Sequence, residues 1–168
     1  RYAYIEKQTR AADREAANEL IVALHDSLEA GADFAELAGA YSDDPASAAK
    51  GGDLGFFPRG TMVPQFDSLA FSMEEGELSK PFQTQFGWHI IKHHGYRTDN
   101  EVPRGGSEPT DVKKAHVSHI LVAVDPSQET LDRFNVRMNE FVQRAGEVGF
   151  LQAAEDVGVQ VDSMLSLG

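Results

Sequence analysis

Cysteine is missing from all 168 residues. A chain without it has neither a disulfide framework nor a thiolate, so every cysteine-based catalytic scheme is excluded, while the redox compartment stays open. Basic residues are scarce as well: 15 Lys and Arg stand against 27 Asp and Glu, a formal net charge of −12. A surface of that sign does not attract a phosphate backbone, which argues against nucleic acid as a partner. No apolar run approaches the ~20 residues that span a bilayer, and no secretory leader pattern opens the sequence. The chain starts at Arg1, not Met, inside what reads as a strand. We therefore expect an excerpt of a longer protein, with any leader or membrane anchor outside it. A hydrophobic fraction of 41% at this length supplies one good core, or one domain and part of a second.

What is abundant is glycine, and it is concentrated. Gly51, Gly52, Gly55 and Gly60 bracket a short stretch, as expected where backbone turns tightly or takes positive φ. Between and after them stand Leu54, Met62 and Phe66. On so turn-rich a frame these side chains can form a shallow apolar cup, with Met adapting its shape and Phe offering a flat face. The alternative is that all three are ordinary core residues of a small α/β domain.

Apolar periodicity outlines the rest. Arg1–Lys7 reads as an edge strand, and Ala11–Ala30 as a helix with Ala17, Leu20, Ile21, Leu24 and Leu28 on one face. Gly31 ends it. Asp33, with Glu36 three residues on, reads as the N-cap of a second helix whose buried stripe is Phe34, Leu37, Ala38 and Tyr41. Pro64 opens a short helix over 65–71, and Phe82–Gln85 and His89–Lys92 read as strands around Gly87. From Tyr96 to Asp111 the chain turns polar and rich in Pro and Gly, the composition of a linker. Beyond it His116–Val122 reads as a strand. A helix then starts with Asp125 as N-cap and Pro126 in its first turn, carrying Leu131, Phe134, Met138, Phe141, Ala145 and Val148. Gly149–Ala154 echoes Ala32–Ala38, which suggests an internal repeat.

In order and spacing, Phe34–Ala38, Tyr41–Pro45, Gly51–Phe66, Gly76–Pro81 and Thr84–Ile91 resemble the core of a parvulin-type (PpiC, rotamase) peptidyl-prolyl isomerase. The resemblance covers roughly Arg1 to Gly95. It implies an α+β fold, a small antiparallel or mixed four-stranded sheet flanked by helices. It also implies that Leu54, Met62, Phe66 and Phe86 receive the substrate proline. Asp44 stands where the family carries a cysteine or aspartate beside the substrate carbonyl, and His89 stands at the last-strand histidine with Thr84 as its hydrogen-bonding companion. Read alone, Asp44 is equally a turn residue, and His89 a histidine satisfied within a sheet. The family's first-strand histidine falls near Tyr4, which keeps a hydroxyl and loses the imidazole. Ser118-His119-Ile120-Leu121-Val122 carries the family's first-strand motif, but in the second half.

These readings divide the chain into an isomerase-type domain at 1–96, a linker at 97–112, and an incomplete second unit (strand, helix, helix) at 113–168. One strand cannot satisfy its own backbone, so the second unit is expected to dock on the first domain or to exchange between copies in a homodimer. The function implied is a foldase acting on proline-containing unfolded or nascent clients, resembling the SurA, PrsA and PpiD class, in a periplasmic or other extracytoplasmic setting. The alternative is a holdase using the same groove without catalysis. Neither a cofactor nor a metal is expected. His93 and His94 point to opposite faces of a strand, and no carboxylate or cysteine spacing supports a metal at these or at His116 and His119. Lys7, Arg10 and Arg14 are too sparse to read a phosphate, so selectivity for phosphorylated residues is not expected.

Overall fold

Alternating apolar residues along two long strands set the architecture of the computed structural model, which describes residues 2–4, 11–102, 108–158 and 160–162. Strand β1 is Tyr2–Tyr4, followed by helices α1 (Ala11–Glu29), α2 (Phe34–Tyr41) and α3 (Pro45–Ala48). Strand β2 (Asp53–Pro58), helix α4 (Pro64–Ala70) and strands β3 (Phe82–Thr84), β4 (Gly87–Glu101) and β5 (Thr110–Val122) come next. Helices α5 (Gln128–Val148) and α6 (Phe150–Val157) and strand β6 (Gln160–Asp162) complete the order. The chain divides into two compact units, Glu15–Val124, and Arg1–Arg14 together with Asp125–Gly168. Among the described residues no helix is long and apolar enough to cross a membrane.

The larger unit is built on an antiparallel four-stranded sheet in the order β2-β5-β4-β3. The fold is α+β. Period-2 alternation sends Ile90, Ile120 and Val122 to one face, where Ala17, Ile21 and Leu24 of α1 and Phe34 and Ala38 of α2 cover them. It sends Ile91, Ala115 and Val117 to the other, against Phe66 and Ala70 of α4 with Phe57, Phe71 and Met73. The α2 N-cap forms as its spacing suggests: the Glu36 N–H donates to Asp33 Oδ1 at 2.9 Å.

The sheet corrects two expectations. Residues 97–101 and 110–112 are not linker but the outer part of a β4–β5 hairpin, in register from Trp88 opposite Val122 to Glu101 opposite Thr110. Its polar composition belongs to a solvated two-stranded ribbon held by cross-strand charge. Lys114 Nζ lies 3.0 Å from Asp99 and 2.5 Å from Glu101, and Asn100 donates to Asp111 at 2.9 Å. Nor does a separate second unit begin at 113: the following strand pairs with strands of the first domain, as the docking expectation has it. β5 lies inside the sheet, between β2 and β4. The fit is close at Gly52, where φ is +84° and an added Cβ would stand 2.4 Å from the His119 carbonyl oxygen. Only glycine lets the backbones approach so far, with the His119 N–H donating to the Gly52 carbonyl at 2.9 Å.

The smaller unit pairs β1 antiparallel with β6, Tyr4 opposite Gln160. Its α5 starts two residues later than expected, with Ser127 and not Asp125 as N-cap. That hydroxyl accepts from the Thr130 N–H, while Asp13 accepts from the Ser127 N–H at 3.2 Å and the Thr130 hydroxyl at 2.8 Å. α5 and α6 pack through Phe141 and Phe150, edge to face at 5.6 Å, over buried Ala153 and Ala154.

Candidate active site

Each polar group of the site is delivered by a different element. The Asp44 side chain caps α3 by accepting from the Ala46 N–H at 3.2 Å. Ser47, three residues on, turns its hydroxyl back toward the cap. β4 and β5 carry His89 and His119 on the sheet face that α4 covers. His119 pairs with Ile91 and His89 with Leu121, so the two histidines are diagonal neighbours, their rings 5.8 Å apart and nearly parallel. Phe66 stands edge-on to both rings at 5.7 Å, and Phe82 stacks on His89 at 5.4 Å.

A cavity of about 440 Å³ opens over this floor, lined by Leu54, Met62, Phe66, Phe86, Asp44, His89 and His119, with Asp43, Thr61, Val63 and Leu121 completing the wall. Its size suits a side chain or small ring. Phe66 is buried at its base, whereas Phe86 is 56% exposed at the rim. Thr84 lies beneath His89, its Oγ1 2.7 Å from Nε2 and accepting from the Phe86 N–H at 3.1 Å. Asp44, His89, Thr84, Leu54, Met62, Phe66 and Phe86 thus come together around one cavity. Tyr4 does not share their sheet. It stands on β1, whose partner is β6, and the strand between β2 and β4 is β5 instead. The histidine placed there is His119.

Two residues of the polar floor were not singled out from sequence as site residues. His119 was visible as the family's first-strand motif, but in a segment assigned to a second unit. Ser47 carried no signal, because α3 is a single turn that Asp43-Asp44-Pro45 disguises as a bend. Its Oγ lies 2.5 Å from Asp44 Oδ2 and 2.9 Å from His119 Nε2, and His119 Nε2 lies 2.8 Å from the same carboxylate oxygen.

Burial pushes the Asp44 carboxyl up, but hydrogen bonds from Ser47, His119 and the Ala46 N–H outweigh it and hold the group below the usual carboxylate range. Burial pulls the His119 ring down, and Asp44 offsets only part of this. Burial also pulls His89 down to about 4, with help from His119. At neutral pH the floor therefore holds two neutral imidazoles and one carboxylate. Among the described residues, the side chains grouped closely enough to hold a metal are His25, Asp26 and Glu29 of α1, none of which lines the cavity.

A stability prediction follows from His89. The unfolded chain takes up its proton as pH falls below about 6.5, whereas the folded chain resists until about 4. The unfolded state thus binds more protons across that window, and stability falls with falling pH. The loss from His89 alone reaches roughly 3 kcal/mol near pH 4. His119 and His93, both held down by burial, act in the same direction. Urea midpoints measured from pH 7.5 to 4.5 should fall steadily, and His89→Asn should flatten the slope. A flat wild-type profile would show that these rings are not buried as neutral groups.

Residues 4–95 match the family model described as rotamase, PPIC-type PPIASE domain. A foldase protein PrsA from Oceanobacillus iheyensis is 40% identical over 138 residues, covering 82% of this chain and 44% of that protein. A chaperone SurA from Pseudomonas fluorescens is 45% identical over 91 residues, 54% of this chain and 21% of that protein. The chain thus spans less than half the length of these relatives. A crystal structure of the peptidylprolyl isomerase PrsA from Bacillus anthracis aligns with a TM-score of 0.40 at 24% identity, over 88% of this chain and 57% of that one. The family match stops at Gly95, whereas the sheet and the polar floor extend to β5.

Proposed function

The chain belongs to the PPIC-type PPIASE family of rotamase domains, and from that premise we propose that it catalyses cis–trans isomerisation of X-Pro bonds in unfolded or folding polypeptides. The observation that carries the reading is the apolar cup of Leu54, Met62 and Phe66 set over a floor of Asp44, Ser47, His89 and His119.

The uncatalysed rotation faces a barrier of ~18–20 kcal/mol and takes tens to hundreds of seconds. Reaching milliseconds requires lowering it by roughly 6–7 kcal/mol. No bond is made or broken, so the chemistry asks for no nucleophile. The planar amide is polarised by resonance and the twisted amide much less, so an apolar pocket that strips water from the prolyl ring favours twisting. With the carbonyl beside Asp44, as the family resemblance implies, the carboxylate acts in the same sense. It destabilises the partly negative oxygen of the planar form more than that of the twisted one. The neutral histidines hold this arrangement without moving protons.

The cavity wall includes Asp43 and Asp44 and neither lysine nor arginine, so peptides with a phosphorylated residue before proline are disfavoured. Clients are exposed proline-containing segments, and the resemblance to the foldase class implies action outside the cytoplasm. The test is refolding of a substrate protein limited by a proline isomer. Addition of the chain should accelerate the slow phase in proportion to its concentration. Binding of the unfolded substrate with an unchanged slow phase would make the chain a holdase and end this proposal.

A further inference from the structure

We propose that Ser47 is a positioning residue of this site, its hydroxyl locking the Asp44 carboxylate and the His119 ring into one geometry with the His119 proton on Nε2. This rests on the isomerase reading for its purpose, but not for its test. Three polar atoms form a closed triangle: Ser47 Oγ to Asp44 Oδ2 at 2.5 Å, Ser47 Oγ to His119 Nε2 at 2.9 Å, and His119 Nε2 to Asp44 Oδ2 at 2.8 Å. Proton counting leaves one solution. An ionised carboxylate only accepts, so both other atoms must donate to it. The single hydroxyl proton of Ser47 therefore goes to Asp44, and the Ser47 oxygen is left to accept from Nε2–H. His119 then carries its proton on Nε2 and a bare lone pair on Nδ1, which is buried and makes no hydrogen bond within the protein.

The arrangement is enclosed. Ser47 is 2% exposed, and α3 fixes it one turn from the residue it contacts. Without the Ser47 hydroxyl, Asp44 Oδ2 would keep one donor instead of two, and the Nε2–H would lose its second acceptor. The titratable groups facing Asp44 are His119 from β5 and His89 from β4, with Asp43 beside it in the chain and on the same cavity wall. At neutral pH both histidines are uncharged, and the Ser47 hydroxyl is first among the hydrogen-bond donors that hold the Asp44 carboxyl down.

The experiment is NMR on the full chain, following the Asp44 side-chain carbon through a pH titration and the His119 ring nitrogens at neutral pH. In Ser47→Ala, with the amide spectrum confirming the fold, the Asp44 midpoint should rise by more than about half a pH unit. The rate on an Ala-Pro peptide should fall about three- to tenfold. In the wild-type chain the His119 proton should be found on Nε2. An unmoved Asp44 midpoint in folded Ser47→Ala overturns the proposal, and so does a wild-type His119 protonated on Nδ1. The second measurement needs no variant and decides the matter if Ser47→Ala does not fold. Absence of wild-type turnover would instead overturn the isomerase reading, with the titration still testing the triangle.

Discussion

Ending the chain after Val102 should abolish cooperative unfolding of the larger unit, although the whole family-matched stretch, residues 4–95, would still be present. β5 is the strand that joins β2 to β4, and without it the sheet falls into a lone β2 and the β4–β3 pair. β5 also supplies Val117, Ile120 and Val122 to the two cores, all buried. Burying three such side chains contributes roughly 5–9 kcal/mol, comparable with the 5–15 kcal/mol of a whole domain. No other stabilising change in the truncated chain offsets that. A companion ending after Val124 keeps β5 and should still melt cooperatively, because Glu15–Val124 is the compact unit. Thermal unfolding followed by circular dichroism compares the two. A sharp melt in the shorter chain would mean that another strand fills the place of β5.

Phe66→Ala should lower the rate on an Ala-Pro peptide more than Asp44→Asn does, by tenfold or more. Phe66 is 3% exposed, stands edge-on to both histidine rings and packs near Phe57 and Phe82. Its truncation costs about 3–5 kcal/mol of stability. It also opens the pocket floor to water where the prolyl ring has to be dry. Met62→Ala, on the partly buried wall, gives the same direction with less damage to the fold, because Met62 sits at the margin of the core. Asp44→Asn keeps the shape and an acceptor for the Ala46 N–H, but loses the charge and turns an amide N–H2 toward the Ser47 hydroxyl and His119 Nε2. Rates measured alongside urea midpoints separate the two contributions. If Asp44→Asn proved the more damaging by tenfold, water exclusion would not be the main source of catalysis.

Much of the site was legible before any coordinates. Gly51–Phe66 suggested the cup but left open that Leu54, Met62 and Phe66 are core residues; Phe66 is both, buried in the core and lining the cavity. His89 and Thr84 were legible through the family resemblance, and a two-residue turn at Gln85-Phe86 then brings their strands into register, Phe82 opposite His89. Long-range partnership was not legible. Ser118–Val122 advertises a strand, but strand pairing depends on which backbone it meets, and local pattern says nothing about that. The polar residues at 97–101 and 110–112 misled for a related reason. A solvated ribbon and a flexible linker share a composition, and cross-strand pairs such as Lys114 with Asp99 appear only once the register is known. Ser47 was hidden because a one-turn helix has too few residues to show a period.

The most direct test of the central claim is exchange spectroscopy on an Ala-Pro peptide at equilibrium with substoichiometric wild-type chain. Cross-peaks between the cis and trans forms should grow with chain concentration, and the amide shifts of Leu54, Met62, Phe66 and His119 should move together on peptide addition. Binding shifts at those residues without any gain in exchange would contradict the account, leaving a pocket that holds proline but does not turn it over.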